Sequence, residues 1–296
     1  MKSGQRGLNI SIVGAGNVGT TLARMLHRAG NRIVAVMSSH KASAAKCGKL
    51  VACRNYSDDV SNIPPTTNLV LIAVPDRAIR SVAQSVATLP DLLFNRISVC
   101  HTSGAMASDE LESLARKGAR VFSFHPIQTF PNQKSLSDQI ASMRGVTFGI
   151  EGSRNALSIA RGLARDLGCK TVVIPKEAKI AYHLACVLAS NYPVALVGAL
   201  ESVVRLLKQK STAPYEKLLR TSFENAMKFG AAKALTGPIV RGDNDVIRRH
   251  LSIMHDPELL SLYKALGAFA LKMAKDEGRL APEQVAAIEN LLEEKE

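Results

Sequence analysis

The fold of this chain is decided by the stretch Ile10-Ser11-Ile12-Val13-Gly14-Ala15-Gly16-Asn17-Val18-Gly19-Thr20-Thr21-Leu22-Ala23. Its short apolar run predicts a buried strand, and its three glycines follow the spacing G-x-G-x-x-G. Apolar residues then return at helical spacing, and the helix is expected to end at Gly30. This order of strand, glycine turn and helix is typical of a domain that binds a dinucleotide.

Each glycine of the turn has a physical task in such a site. Gly14 allows the tight turn, Gly16 lets a pyrophosphate approach the backbone, and Gly19 lets the helix pack closely against the sheet. Free N–H groups and the helix dipole favour an anion at the start of the helix. We therefore predict that the cofactor phosphates contact Gly14, Ala15, Gly16, Asn17, Val18 and Gly19. The alternative is a tight turn between strand and helix that binds no ligand.

The length and charge of the chain limit the classes of function. With 296 residues, the chain is long enough for two domains. Its net charge of +13 comes from Lys and Arg spread along the sequence, and aromatic residues make up only 4%. Because nucleic-acid-binding proteins cluster their basic residues, we predict no nucleic-acid partner. A field that attracts an anionic cofactor and substrate explains the charge more simply.

Cysteine usage and hydropathy bear on the location of the protein. The five cysteines are odd in number, scattered, and free of C-x-x-C spacing. This pattern argues against a disulfide framework and a zinc site, so we predict no metal and a reducing, cytoplasmic location. We expect that no apolar run is nearly long enough to form a membrane-spanning helix, so we predict no membrane partner.

The end of the second predicted strand, 32–37, indicates which dinucleotide binds. A site specific for NAD places Asp or Glu there to bind the adenosine ribose. This sequence has Ser38, Ser39, His40 and Lys41 instead. Hydroxyl and cationic groups can bind a 2′-phosphate, and no carboxylate repels it. We therefore predict NADP(H) as the cofactor; the alternative is a polar loop that touches nothing.

Three later strands, at 68–74, 97–100 and 120–124, are predicted to end at one edge of a parallel sheet. Ligands of open α/β sheets bind outside this edge. The side chains delivered there are Val74 and Pro75, then His101 and Thr102, then His125. A loop histidine is either solvated or a ligand-binding group, and both readings stay open for His101 and His125.

The rest of the first half continues the alternation of strands and helices. Residues 42–67 are poorly defined, and residues 127–145 are polar and irregular, as expected of a lid or substrate loop. A strand at 146–150, a helix at 153–167 and a strand at 171–175 follow. The pattern predicts a Rossmann-type, doubly wound, mostly parallel sheet with a domain boundary at Pro175.

From residue 176 onward the pattern is only helical, and it begins with a long apolar helix at 178–208. Four polar residues share one face of this helix: Lys179, His183, Cys186 and Ser190. Because polar groups are costly to bury without partners, we expect this stripe to line a pocket; the alternative is a stripe that faces solvent. Pro193 removes a backbone donor, so we expect a kink beside Asn191.

Further helices are predicted at 215–233, 259–275 and 282–294, with a loop at 234–243. That loop is either an interhelical connection or a second wall of the active site. Small residues at 195, 198 and 199 permit another helix to approach closely. Because the apolar faces exceed what one Rossmann domain covers, we predict a homodimer formed by paired helical domains.

Motifs along nearly the whole chain carry a family resemblance. They are the N-terminal glycine motif, Ala73-Val74-Pro75-Asp76, His101-Thr102-Ser103-Gly104, Ser123-Phe124-His125-Pro126, Tyr182-His183 with Ser190-Asn191, and Ala234-Leu235-Thr236-Gly237-Pro238 with Arg241-Gly242-Asp243. In these motifs the chain resembles the Rossmann-like/DUF2520 family of predicted NADP oxidoreductases. That family is similar in architecture to pyrroline-5-carboxylate reductase, 6-phosphogluconate and 3-hydroxyisobutyrate dehydrogenases, and ketopantoate reductase. The resemblance implies a Rossmann domain at 1–175, an all-helical dimerisation domain at 176–296, and an active site between them.

The resemblance also implies an activity. NADPH is expected to reduce a C=O or C=N bond of a small, carboxylated substrate, and ketopantoate is the first to test because some family members reduce it. The nicotinamide is expected near Val74, Pro75 and Thr102. Hydroxyacid dehydrogenases of the wider superfamily share a helical Lys-x-x-x-Asn, and Lys179 stands at the lysine position with His183 in place of the asparagine. The candidate catalytic residues are Lys179, His183, Asn191 and His125, with Lys179 or His183 as proton donor.

A different class of function remains open. A non-catalytic regulator that binds NADP(H) keeps the three glycines of the turn but needs no ionisable residues on one helical face. The stripe that contains Lys179 and His183 therefore favours an enzyme over such a regulator.

Overall fold

The structure is a computed structural model that describes residues 7–294. The chain divides into two compact units, Met1–Tyr192 and Pro193–Glu296. Each unit has a hydrophobic core of its own.

The first unit is built on an eight-stranded sheet with the strand order β3-β2-β1-β4-β5-β6-β7-β8. The strands are β1 (Asn9–Val13), β2 (Arg32–Met37), β3 (Tyr56–Ser57), β4 (Leu69–Ile72), β5 (Ser98–His101), β6 (Arg120–Pro126), β7 (Thr147–Gly152) and β8 (Lys170–Val173). Strands β1 to β6 are parallel, β7 runs antiparallel to β6, and β8 is parallel to β7. The predicted doubly wound, mostly parallel sheet is confirmed.

Helices on both faces of the sheet cover two apolar cores. They are α1 (Asn17–Arg28), α2 (Lys41–Leu50), α3 (Asp76–Ala87), α4 (Glu112–Ala115), α5 (Leu136–Ser142) and α6 (Arg154–Asp166). On β6 the side chains alternate, so that Phe122 and Phe124 pack in one core and Val121 packs against the other. Because Ser123 and His125 share the alternation of Val121, β6 presents them on the face opposite the phenylalanines.

Two segments that show no clear periodicity in the sequence contain helices. Residues 42–67 include most of α2 and the short strand β3, and residues 127–145 include α5. Thr21 Oγ1 of α1 donates to Gln139 Oε1 of α5 at 2.8 Å, and this hydrogen bond links α5 to α1. Both helices are short and contain few large apolar residues, so the sequence shows no apolar periodicity that would predict them.

The second unit is helical. It contains the later part of α7 (Lys179–Leu206) and the helices α8 (Ala213–Phe229), α9 (Ala231–Ala234), α10 (Pro238–Arg241), α11 (Asn244–Ser252), α12 (Pro257–Asp276) and α13 (Pro282–Glu293). Its core includes Ile247, Leu271 and Ile288. Helix α11 is not among the predicted helices, because it is mostly polar, and α10 lies within the predicted loop at 234–243.

Helix α7 is continuous through Pro193, and the two compact units divide inside it, after Tyr192. The predicted boundary lies earlier, at Pro175, where the alternation of strands and helices stops. The difference arises because the first turns of α7 pack on the sheet through the side chains of Lys179 and Tyr182.

One helical segment of the described chain, 176–206, is long and apolar enough to cross a membrane by length and composition. An 18-residue window in it has a mean hydropathy of 1.5, and none of that window is buried. The expectation that no apolar run approaches a membrane span is therefore wrong. The polar stripe and Pro193 interrupt the apolar residues in the sequence, which obscures their combined length. Core helices of soluble proteins meet the same criteria.

Candidate functional site

The glycine turn lies at the carboxyl end of β1 and leads into α1. A side chain on Gly14, whose φ is +104°, would collide with the carbonyl of Ala73, and a side chain on Gly19 would collide with that of Gly14. Gly16 is different, because no described atom lies within 4 Å of the position that a Cβ would take there. Gly16 therefore leaves open space in front of the first N–H groups of α1, as an approaching pyrophosphate requires.

The end of β2 leads directly into the start of α2. His40 is the N-cap of this helix, and the first turn of the helix contains no acidic residue. Ser39 Oγ lies 3.1 Å from His40 Nδ1, and Ser39, His40 and Lys41 are exposed. Ser38 is half-buried, and its N–H donates to Ser57 O at 3.0 Å. Ser39, His40 and Lys41 thus follow one another at the start of α2, and a hydroxyl, an imidazole, an ammonium and a helix N-terminus can each bind a phosphate.

Asn17 in the glycine turn has a structural task. Its Nδ2 donates to Phe130 O and to Asn132 Oδ1, both at 2.9 Å. Gln139, which accepts from Thr21 of α1, also donates through Nε2 to Lys134 O at 3.2 Å within the same segment. The segment expected to form a lid at 127–145 is therefore fixed beside the glycine turn.

A row of polar side chains crosses β5, β6 and β7. In the register of the sheet, Ser123 lies opposite His101 on one side and Glu151 on the other. Direct partners on neighbouring strands point to the same face, and all three of these side chains are buried. Because buried polar groups need hydrogen-bond partners, the loops and the helix that cover this face of the sheet must supply them.

His101 is satisfied by the loop that follows its own strand. Its Nε2 donates to Ala107 O at 3.0 Å, and its Nδ1 accepts from Ser103 N at 3.2 Å. Burial lowers the pKa of His101 to about 4, so the ring is neutral at neutral pH. Both ring nitrogens are engaged, and His101 holds the loop. The geometry therefore gives no support to a ligand-binding role for this histidine.

Lys179, the first residue of α7, contacts the same row. It is 2% exposed. Its Nζ donates to Ser123 Oγ at 2.8 Å and to Ser103 O at 3.4 Å, and it lies 5.5 Å from the centre of the Tyr182 ring. Burial lowers the pKa of this ammonium group, against an opposing effect of the negative charge of Glu151. A lysine with a lowered pKa transfers a proton more readily near neutral pH.

Tyr182 and His125 form a second pair on this face. Tyr182 Oη lies 2.6 Å from His125 Nδ1, and the two rings meet edge to face at 89°. Gly149, which lies opposite His125 on β7, makes room for the tyrosine, because a side chain at 149 would collide with its hydroxyl. A glycine inside the strand thus lets α7 approach the sheet.

The protonation states of this pair follow from its surroundings. Burial, with the positive charges of Lys179 and His183, lowers the pKa of His125 to about 4. Burial also raises the pKa of the Tyr182 hydroxyl. At neutral pH the hydroxyl therefore keeps its proton and the imidazole is neutral, so the bond runs either from Oη–H to Nδ1 or from Nδ1–H to Oη. In the first arrangement the imidazole proton is on Nε2, and His125 offers Nε2–H as an oriented hydrogen-bond donor.

His125 and His183 meet at Gly104. A Cβ on Gly104 would lie 2.9 Å from His125 Nε2 and 3.1 Å from His183 Cδ2. The absence of a side chain at 104 therefore lets both imidazoles reach the same place. His183 is half-buried and lies one helical turn after Lys179. The structure thus brings three of the four candidate catalytic residues together.

Asn191, the fourth candidate, lies apart from this cluster. It is exposed, and its Oδ1 accepts from Ser190 Oγ at 2.9 Å. The same hydroxyl donates to Cys186 O at 2.7 Å. Asn191 is twelve residues beyond Lys179 on the same helix, which corresponds to about 18 Å. The predicted polar stripe therefore reaches the sheet only at its Lys179 and His183 end.

The residues expected to flank the nicotinamide lie at the carboxyl ends of β4 and β5. Val74 and Thr102 are half-buried, and Pro75 is exposed just before α3. Thr102 N donates to Ile72 O at 3.1 Å, which holds the two strand ends together. In the strand order these ends lie between the glycine turn on β1 and the cluster on β6. Within residues 7–294, no group of three or more His, Cys, Asp or Glu side chains is placed to hold a metal ion.

Several residues of this cluster are not among the residues predicted from the sequence to be functional. Glu151 is the one charged residue of β7, and a charge within a mostly buried strand is a signal for a buried partner. Gly149 inside the same strand is a signal for close approach. Tyr182 carries no such signal, because its pairing with His125 joins residues far apart in the chain.

Two family models match the chain. Residues 2–126 match a Rossmann-like domain, and residues 146–269 match DUF2520, a domain of unknown function. The second match begins at the start of β7 and not at residue 176, so it includes the last two strands of the sheet. A comparison with curated proteins finds no match.

Solved structures share the fold over most of the chain. BF3122 from Bacteroides fragilis, a proposed NADP oxidoreductase, is 24% identical with a TM-score of 0.76, and the match covers 90% of this chain and 99% of that one. Protein TM1727 from Thermotoga maritima is 27% identical with a TM-score of 0.68, covering 91% and 99%. A reductive aminase from Aspergillus terreus in complex with NADPH is 16% identical with a TM-score of 0.57, covering 97% and 93%. These likenesses establish the fold.

Proposed function

We propose that this chain, a Rossmann-like domain followed by a DUF2520 domain, is an NADPH-dependent oxidoreductase that reduces a C=O or C=N bond of a small, carboxylated substrate. One observation carries the proposal. The open glycine turn follows β1 and His125 lies on β6 of the same sheet, with the strand ends at Val74 and Thr102 between them. Lys179 and His183 of α7 reach the β6 side of this edge, Lys179 through Ser123 and His183 beside His125 at Gly104. Open α/β sheets bind their ligands along this edge.

The residues present fit NADP(H). The space beside Gly16 accommodates a pyrophosphate at the start of α1. Ser39, His40 and Lys41 supply donors for a 2′-phosphate at the start of α2. An NAD-type site needs a carboxylate at this strand end, and residues 38–41 contain none.

The reduction needs one hydride and one proton. NADPH, when bound, supplies the hydride to the carbon of the C=O or C=N bond. We assign the proton that reaches the oxygen or nitrogen to Lys179, because an ammonium has three N–H donors and Ser123 and Ser103 accept from two. We assign polarisation of the bond to His125 Nε2–H. His183, which meets His125 at Gly104, is the rival proton donor.

The charge of the cluster suggests the substrate class. A buried ammonium and two imidazole donors favour a carboxylate on the substrate. Ketopantoate is the first 2-oxo acid to test, and the likeness to a reductive aminase supports including imines.

The test is consumption of NADPH in a screen of 2-oxo acids, starting with ketopantoate, and of ketones mixed with amines. We expect the wild type to reduce at least one compound, with one NADPH consumed per product formed. The contrary result is tight binding of NADPH with no turnover of any carbonyl or imine, which favours the regulatory alternative. Chemical identification of the product distinguishes C=O from C=N reduction.

A further inference from the structure

Glu151 is a buried carboxylate that the proposed chemistry does not use. It is 7% exposed and lies near the end of β7. Its Oε2 accepts from Ser108 N at 2.6 Å, and its Oε1 accepts from Ser108 Oγ at 2.9 Å. Two accepting oxygens are the pattern of an ionised carboxylate, and an ionised group at this depth needs a compensating charge.

Lys179 has the complementary requirement. It is also buried, and the groups that accept from its Nζ, Ser123 Oγ and Ser103 O, are both neutral. Among residues 7–294, no ion pair within 4.0 Å includes either Lys179 or Glu151. The two charges therefore act on each other over more than 4.0 Å.

The register of the sheet places the two charges side by side. Ser123 of β6 and Glu151 of β7 are direct partners, so their side chains point to the same face about 5 Å apart. Ser123 Oγ carries the Lys179 ammonium at 2.8 Å on that face. Ser123 is thus hydrogen-bonded to a buried cation and is the direct strand partner of a buried anion.

From this juxtaposition we infer that Glu151 is the counter-charge that keeps Lys179 in its ammonium form, and that Glu151 is a positioning residue for the proton transfer. This role rests on the proposed function, in which Lys179 donates the proton. The negative charge of Glu151 raises the pKa of Lys179 more than any other neighbour does. The other titratable groups around the ammonium are Asp76 on α3, Cys186, Tyr182 and His183 on α7, His101 on β5 and His125 on β6.

The direct test measures the ionisation of Lys179 without any substrate. The pKa of its side chain is read by nuclear magnetic resonance in protein with isotope-labelled lysine, and Lys179→Met identifies the signal. We expect Glu151→Gln to lower that pKa by at least about one unit, because an opposite charge at this range is lost. An unchanged pKa in Glu151→Gln overturns the inference.

Two control variants separate charge from structure. Ser108→Ala removes a hydrogen bond to Glu151 but keeps its charge, so the pKa of Lys179 is expected to stay close to the wild-type value. Glu112→Gln removes the same charge from an exposed residue that pairs with Arg116, and it is also expected to leave Lys179 unchanged. An equal fall of the pKa in Ser108→Ala shows that Glu151 acts only by holding the loop, which contradicts the inference.

If Glu151→Gln is too unstable for a pKa measurement, its stability can be compared with that of a double variant. Removing both charges, in Glu151→Gln with Lys179→Met, should restore stability relative to Glu151→Gln alone, because a lone buried charge costs more than none. A double variant no more stable than the single one contradicts the pairing.

Activity supplies a separate readout once a substrate is known. Since a proton donor works only while protonated, turnover falls as pH rises through the pKa of Lys179, and Glu151→Gln should move this fall to lower pH. A shifted pKa of Lys179 with no NADPH turnover by any variant rejects the proposed function and, with it, the proton-transfer role of Glu151. An unchanged pKa in an active enzyme rejects the role of Glu151 alone.

Discussion

At the scale of single residues, Lys179 connects the helix α7 to the sheet. Its ammonium group is held by Ser123 and Ser103 at a depth where charges are rare, and such a lysine is costly to keep unless it has a function. His125 is oriented by Tyr182 in the same way, through one hydrogen bond between its Nδ1 and the tyrosine hydroxyl. Both residues thus have their donor atoms oriented before any substrate arrives.

Replacing Lys179 tests its assigned role. We expect Lys179→Met to reduce turnover by about 10²-fold or more, because a positioned proton donor contributes on that scale. The affinity for NADPH, measured by fluorescence titration, should stay nearly unchanged, since the lysine lies at β6 and not at the glycine turn assigned to the phosphates. Lys176→Met is the matched control: this lysine lies one turn earlier, is exposed, and pairs with Asp109. An active Lys179→Met beside an inactive His183→Ala shows that His183 is the donor.

His101 should make the protein sensitive to acid. The pKa of His101 is about 4 in the folded protein, against about 6.5 in an unfolded chain. Because the unfolded state binds the proton first, stability is present above the unfolded pKa and is lost as pH falls from about 6.5 towards 4. The loss is about 3 kcal/mol at most for this residue.

Urea unfolding over this pH range measures the effect. His101→Gln, which cannot titrate, should lose less stability on acidification than the wild type does. His40→Gln, at an exposed position of the same unit, should retain the wild-type slope. Equal slopes for His101→Gln and the wild type contradict the neutral, buried state of this histidine.

At the scale of elements, the start of α2 should decide between the two nicotinamide dinucleotides. Ser39 and Lys41 are exposed at this helix start, and we expect the double variant Ser39→Ala/Lys41→Ala to lose about tenfold or more in NADPH affinity. NADH affinity should change little, because NADH lacks the 2′-phosphate. Lys46→Ala, on the exposed side of the same helix, is the control. Wild-type protein with equal affinities for NADPH and NADH refutes the assignment.

The elements also show what a sequence can and cannot predict. The glycine turn and β2 are predictable because each follows from neighbouring residues in the chain. The pairing of Tyr182 with His125 and of Lys179 with Ser123 joins residues more than 50 positions apart, so no local pattern contains it. The polar stripe on α7 predicts that Lys179 and His183 lie on one face of the helix. It cannot show how far along the helix this face stays in contact with the sheet. Asn191 falls beyond that end.

At the scale of the whole molecule, α7 leaves an apolar surface in contact with water. Ile180, Leu184 and Leu188, which are spaced four residues apart on one face, are 71%, 53% and 54% exposed. Leaving such a face in water costs roughly 25 cal/mol per Å² of apolar surface. A second copy of the chain is the partner that we propose for it, since a two-fold pair covers the same face on both copies.

Sedimentation at micromolar concentration should therefore show a dimer. Leu184→Lys should weaken the dimer, because it places a charge within the apolar face on both copies. Leu93→Lys is the matched control, since Leu93 is 55% exposed and lies far from α7 in the sequence. A monomeric wild type that retains full turnover contradicts both the dimer and any shared site.

The most direct test of NADPH binding at the glycine turn is a titration of wild-type and Gly16→Val protein with NADPH. Gly16 has a φ of −75°, and no described atom lies near its missing Cβ, so valine should fit the folded protein without strain. It should also fill the space assigned to the pyrophosphate. We expect Gly16→Val to keep the wild-type thermal midpoint while its Kd for NADPH rises at least about tenfold, a change of 1.4 kcal/mol or more. Equal NADPH affinity in the two proteins, or no binding by the wild type, contradicts the assignment of this edge of the sheet to the dinucleotide.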